Sequence, residues 1–144
     1  TTNTPQFEPV TRWGADPNHF TYGVWLVKTE NQTIHAFFSR NVLTSCNLQW
    51  LPTKKTGNIV GVFNDPCDGS MFTINGIPLN SNSYRALDNF DPIIEGGVIK
   101  INVSSVNIGR CNNQEFENIL CSSTSTLKRK IPLTGNIEKD FGLR

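Results

Sequence analysis

The chain has 144 residues and a formal net charge of +1 at pH 7, which is enough for one domain with a buried core. The near-neutral charge excludes bulk electrostatic attraction to a nucleic acid or to an anionic membrane surface. The sequence contains eleven Gly and eight Pro but only one Met. Because turn formers are abundant and good helix formers are scarce, the composition favours short strands joined by tight turns.

The predicted elements of the first part of the chain are strands and loops. Residues 1–19 carry Pro and Asn and are expected to form an extended entry segment. Two largely apolar runs, 22–28 and 33–38, flank a polar turn and predict a pair of strands. Residues 39–58 are predicted to form a loop with a polar tip at 53–57.

The middle of the chain carries further strand signals. A short apolar strand is predicted at 58–63. Asn75-Gly76 separates the apolar runs 71–74 and 77–79, and this dipeptide is the strongest short-range hairpin signal. Alternation of apolar and polar residues predicts a strand at 98–103. The sequence therefore predicts an all-β fold, either a small sandwich or stacked sheets.

Residues 105–144 differ from the rest in having few apolar residues and clusters of Ser and Asn. We expect a C-terminal extension that packs onto the domain or onto a partner, with a disulfide between Cys111 and Cys121. A partly flexible tail is an equal alternative. An even number of cysteines suits an oxidising compartment. No run approaches the ~20 apolar residues of a transmembrane helix, and a start at Thr1 without Met is compatible with a removed signal or anchor.

Two cysteine motifs carry the most information. The first reads Asn41-Val-Leu-Thr-Ser-Cys46-Asn-Leu-Gln-Trp50, and the second reads Asp65-Pro-Cys67-Asp68-Gly-Ser-Met-Phe72. The second continues as Thr-Ile-Asn-Gly-Ile-Pro-Leu79, and Arg85-Ala-Leu-Asp-Asn-Phe90 and Glu95-Gly-Gly-Val98 follow. This frame resembles the Rieske [2Fe–2S] domain of the quinol-oxidising, disulfide-bearing branch, whose motifs read Cys-Thr-His-Leu-Gly-Cys and Cys-Pro-Cys-His-Gly-Ser. The resemblance runs from about Phe20 to Val103.

The resemblance implies a Rieske-like antiparallel β-sandwich over residues 20–104, with a subdomain formed by the two motif loops. On this pattern Cys46 and Cys67 occupy the disulfide positions. The four ligand positions become Asn41, Leu43, Asp65 and Asp68. A Rieske centre needs two Cys on one iron and two His on the other. The resemblance therefore implies a retained scaffold that has no cofactor.

The expected function is a cofactor-less subunit with a structural or docking role in an extracytoplasmic, membrane-associated electron-transfer complex. Its partners are other protein subunits, and the expected location is a periplasmic or cell-surface face. Members of the family dock to their partner subunits through the tip that the two motif loops form. The side chains expected to contact a partner there are Leu43, Leu48, Met71 and Tyr84.

Two alternatives stay open. The first is a [2Fe–2S] electron-transfer protein with ligands outside the usual pattern. The second is a module that uses the emptied pocket to bind a small ligand or a protein. His19 and His35 lie outside both motifs and are expected to be structural or surface residues. Asp65 and Asp68 are expected to cap turns by bonding backbone amides. Gly-x-Ser-x-Gly, P-loop and His-Glu-x-x-His patterns are absent, so we expect no enzyme.

Overall fold

A computed structural model of the chain describes residues 4–14, 21–29, 31–79, 86–109, 129–141 and 143. The strands in these ranges are β1 (Gln6–Pro9), β2 (Gly23–Lys28), β3 (Ile34–Phe38), β4 (Gln49–Thr56), β5 (Ile59–Asn64), β6 (Met71–Phe72), β7 (Asn89–Glu95), β8 (Val98–Ile108) and β9 (Arg129–Pro132). The helices in the same ranges are a 3-10 turn, Thr11–Trp13, and α1 (Ile137–Phe141). Every strand pairing is antiparallel. The predicted all-β, antiparallel fold class is confirmed.

The strands form two sheets. In the part of the chain that the structure describes, the larger sheet has six strands in the order β1-β2-β3-β7-β8-β9, and the smaller sheet has three in the order β4-β5-β6. Among the described residues, no helix is long and apolar enough to cross a membrane.

Alternation along β2 and β3 gives the larger sheet two apolar faces. Val24 lies opposite Phe38 on one face. That face forms the first core with the 3-10 turn and α1, and its buried members are Trp13, Tyr22, Val24, Ala36, Phe38, Phe90, Val106, Ile108, Ile137 and Phe141. The opposite face contacts the smaller sheet through a second core of Val27, Phe37, Leu48, Phe63, Phe72 and Leu87. Full burial of one such side chain stabilises the fold by about 1.5–3 kcal/mol.

Several predicted elements are confirmed, and one is wrong. The runs 22–28, 33–38, 58–63 and 98–103 lie on β2, β3, β5 and β8. The predicted loop at 39–58 is too long, because residues 49–56 form β4. Most of β4 is exposed and polar, so it lacks the apolar alternation by which a strand is recognised.

The described residues 129–141 pack onto the larger sheet. β9 pairs with β8 from Ser105↔Pro132 to Ile108↔Arg129. The ring of Phe141 stacks on Phe38 with 3.9 Å between centroids. Since β8 runs unbroken to Ile108, the predicted boundary at 104 falls within a strand. Cys111 and Cys121 lie outside the described residues.

Candidate functional site

The two motif loops meet at one end of the smaller sheet. Loop 1 (39–48) precedes β4, and loop 2 (65–70) joins β5 to β6. Gln49 and Met71 both pair with Asn64, one from each side. The end of loop 1 and both ends of loop 2 are therefore adjacent, as the sequence frame predicts for a common tip.

A disulfide joins the loops. Cys46 is bonded to Cys67, with 6.4 Å between the Cα atoms, a separation within the usual range for disulfides. The expected pairing of these two cysteines is confirmed. Cys46 is half-buried and Cys67 is exposed, so solvent reaches the bond from the loop 2 side.

Asp65 forms a second connection between the loops. Its side chain is fully buried, with 0% exposure. Oδ2 accepts hydrogen bonds from Asn41 Nδ2, at 2.8 Å, and from the Thr44 hydroxyl. Oδ1 accepts one from the Cys67 backbone N–H at 2.8 Å. Asn41 and Asp65, which stand at two of the four ligand positions of the Rieske pattern, are thus hydrogen-bonded to each other.

Loop 1 is shaped by Asn41, which is 4% exposed. Its Oδ1 accepts a hydrogen bond from the Leu43 N–H at 3.1 Å. Its backbone N–H donates to the Cys46 carbonyl at 3.0 Å, and its carbonyl accepts from Thr44 and Ser45 N–H groups. An Asn side chain that bonds the backbone two residues on is an Asx turn. This turn orients the Asn41 amide toward loop 2.

Loop 2 contains two turns of the same kind, in which an Asp side chain accepts a hydrogen bond from the backbone N–H two residues on. Asp65 bonds the Cys67 N–H, and Asp68 Oδ1 accepts from the Ser70 N–H at 2.9 Å. Gly69 has a φ of 77°, a conformation that glycine adopts without steric cost. The expectation that both aspartates bond backbone amides is confirmed. The bonds from Asp65 to the side chains of loop 1 are an addition that spacing alone does not predict.

Arg40 was not recognised from the sequence as part of this region. It is 7% exposed, and its guanidinium carbon lies 4.3 Å from the centroid of the Tyr22 ring. Nη1 donates to the Ser45 carbonyl at 3.1 Å. A cation over an aromatic face is favourable when it is desolvated, so Arg40 secures the base of loop 1 against the larger sheet. The sequence has no signal that separates this arginine from a surface one.

The expected partner contacts divide into three groups. Leu43 and Met71 are half-buried and partly open to solvent. Leu48 is 3% exposed and belongs to the second core, so the expectation that it contacts a partner is wrong. Its direction is set by pairing at the base of loop 1, where its N–H donates to the Ser39 carbonyl at 2.9 Å. Tyr84 lies outside the described residues.

The described donors do not fit a [2Fe–2S] cluster. The two sulfurs are bonded to each other, and a carboxylate at position 65 is a poor substitute for the thiolate and imidazole ligands that iron–sulfur sites prefer. His35 stacks on Phe37 within β3, at 5.5 Å between ring centroids, and His19 lies outside the described residues. The buried Ser70 hydroxyl has no hydrogen-bond partner in the structure. In the Rieske pattern the serine at this position donates a hydrogen bond to the cluster, but a lone hydroxyl supplies no iron ligand.

A shallow cleft opens beside loop 1. It is lined by Arg40, Asn41, Val42, Leu43, Phe72, Ala86, Leu87 and Asp88, and its enclosed volume is about 10 Å³. That space fits one water molecule, whereas sites for small organic ligands enclose about 300–1,000 Å³. The cleft therefore gives no support to a small-ligand site. Comparison with protein-family models, curated proteins and solved structures gives no match for this chain.

Proposed function

We propose that this protein is a cofactor-less, Rieske-like subunit with a structural or docking role in an extracytoplasmic, membrane-associated electron-transfer complex. One observation carries the proposal. Asn41 and Asp65, at two positions that hold iron ligands in the Rieske pattern, are hydrogen-bonded to each other across the two loops. The two loops of the tip are therefore joined to each other by protein groups, which are the disulfide and this hydrogen bond.

The loops are connected by a disulfide and by hydrogen bonds to Asp65. Closing a loop of about 20 residues with a disulfide contributes on the order of 3 kcal/mol. Hydrogen bonds to a charged group contribute roughly 1.5–3 kcal/mol each, and the Asp65 carboxylate accepts three of them, from Asn41, Thr44 and Cys67. A shaped tip with no redox centre is suited to recognition.

The features of the tip support docking to a protein partner. Leu43 and Met71 are partly exposed apolar residues, and Pro66 and Cys67 of loop 2 are exposed. Apolar side chains on a rigid, preformed surface bind with little loss of conformational entropy. The exposed disulfide supports an extracytoplasmic location, because such bonds persist in oxidising compartments.

Substitution at the tip tests the proposal. Leu43→Asp places a charge on the proposed contact surface, and we expect the variant to fold but to be lost from the membrane complex. Ile94→Asp is the matched control, since Ile94 is 61% exposed on β7 of the other sheet. The measurement is the amount of each variant that co-migrates with the complex after detergent extraction and native electrophoresis. Equal incorporation of both variants would contradict the proposal.

A further inference from the structure

We propose that reduction of the Cys46–Cys67 disulfide turns the tip into a binding site for a soft divalent metal ion of the Zn²⁺ class. The ligands are Cys46 Sγ, Cys67 Sγ and a carboxylate oxygen of Asp65. These ligand atoms all lie within 4.8 Å of one another. The inference concerns the reduced chain and does not rest on the docking role.

The spacing of the three atoms suits a tetrahedral ion. Zinc binds thiolate sulfur at about 2.3 Å and carboxylate oxygen at about 2.0–2.2 Å, so the edges of its coordination tetrahedron measure roughly 3.5–3.8 Å. The three atoms already lie within 4.8 Å of one another, and the sulfurs separate once their bond is cleaved. These separations are therefore compatible with a tetrahedral site once the two sulfurs have moved apart.

The carboxylate is already oriented for this role. Asp65 is fully buried, and Asn41, Thr44 and the Cys67 N–H hold its two oxygens. Metal-binding carboxylates are commonly fixed by such hydrogen bonds, and these second contacts affect metal affinity strongly. The two thiols bind a divalent cation as thiolates, and the charge of the cation offsets the repulsion between the thiolates and the buried carboxylate.

The redox step needs an external dithiol, and the exposed position of Cys67 gives it access. A thiolate of the dithiol attacks a sulfur of the disulfide and forms a mixed disulfide, which its second thiol then resolves. The protein gains two electrons and two protons as two thiols, and the dithiol becomes a disulfide. Metal binding then releases the two thiol protons, and water fills the fourth coordination position on the exposed side.

The test uses a chain in which Cys111 and Cys121 are both replaced by Ser, so that only Cys46 and Cys67 supply thiols. The protein is reduced with a phosphine and titrated with Cd²⁺, and binding is followed by the sulfur-to-cadmium charge-transfer absorption and by equilibrium dialysis. We expect one Cd²⁺ per reduced chain and no charge-transfer band for the oxidised chain. Reduced protein that shows no such band would overturn the proposal, whether or not it stays folded.

Variants identify the carboxylate. Asp65→Asn is expected to weaken Cd²⁺ binding at least about tenfold. Asp68→Asn is the matched control, because Asp68 lies in the same loop but outside the ligand trio, and it should bind as the parent does. If Asp65→Asn does not fold, Thr44→Val replaces it. That change keeps every ligand but removes the hydroxyl that donates to Asp65 and accepts from the Cys46 N–H, and a loss of roughly tenfold is expected. Equal affinities for the control and for the Asp65 or Thr44 variant would overturn the proposal.

Discussion

Replacing Asp65 by Asn is expected to destabilise the fold more than any other conservative change at the tip. The substitution keeps the size of the side chain but turns one carboxylate oxygen into an amide donor. In the native structure both oxygens accept, from Asn41 and Thr44 on one side and from the Cys67 N–H on the other. Whichever way the new amide is oriented, its NH₂ group faces a donor, because only the Thr44 hydroxyl can turn round to accept.

The size of the effect follows from burial. Asp65 is 0% exposed, so water cannot compensate the donor that loses its acceptor. A buried unsatisfied donor costs about 1–3 kcal/mol, and the bonds that remain change from charged to neutral, which are weaker by roughly 1 kcal/mol each. We expect the free energy of unfolding to fall by about 2–4 kcal/mol. The matched change Asp68→Asn, at a half-buried residue, should cost under about 1 kcal/mol.

Urea denaturation followed by tryptophan fluorescence gives both values, provided that the m-value is unchanged. A double-mutant cycle with Asn41→Ala then isolates the contact, with an expected coupling of about 0.5–3 kcal/mol. A loss below about 0.5 kcal/mol for Asp65→Asn, or equal losses for the two aspartates, would refute the role given to Asp65. A coupling near zero would show that the hydrogen bond between Asn41 and Asp65 contributes nothing to stability.

Three further predictions concern the disulfide, a glycine and a core leucine. Replacing Cys46 and Cys67 together by Ser should lower the free energy of unfolding by on the order of 3 kcal/mol, and an unchanged urea midpoint would contradict this. Gly61→Ala should destabilise more than Gly57→Ala in thermal unfolding, because both have positive φ but a Cβ at Gly61 would lie 2.8 Å from the Trp50 ring while one at Gly57 meets nothing within 4 Å. Leu48→Ala should cost about 2–5 kcal/mol in urea denaturation, as expected for a core residue, and a small loss would mean that Leu48 is not in the core.

Much of the fold follows from patterns in the sequence. β2, β3 and β8 carry apolar runs or alternation, and these are the signals that identify strands. β7 was not recognised, because Asp91 and Pro92 interrupt its apolar residues, and Pro is rare within strands. Its register shifts between Asn89 and Asp91, and such an irregularity accommodates these residues at the place where β7 leaves β3.

The C-terminal helix was missed because it has only five residues. Ile137 and Phe141 are spaced i, i+4, which places both on one face of a helix. Asn136 precedes them and accepts a hydrogen bond from the Lys139 N–H at 3.2 Å, as an N-cap does. Both signals are present in the sequence, but a single turn gives too few repeats for a period to be recognised.

The site was only partly predictable. The resemblance of the two motifs to the Rieske pattern correctly predicted the disulfide between Cys46 and Cys67. The bonds from Asn41 and Thr44 to Asp65 depend on side-chain directions across two loops, and sequence spacing does not contain that information. The burial of Leu48 was missed for a related reason. The sequence pattern of a leucine beside a cysteine motif is the same whether its side chain points out of a loop or into the core.

The proposed function requires that the tip formed by the two motif loops holds no iron–sulfur cluster. It is tested most directly by measuring iron and acid-labile sulfide, together with a visible absorption spectrum, on protein purified from its native source under anaerobic conditions. We expect a colourless, folded protein with no stoichiometric iron or sulfide. About two irons and two sulfides per chain, with visible absorption bands, as expected for a [2Fe–2S] centre, would contradict it and return the protein to electron transfer through other ligands.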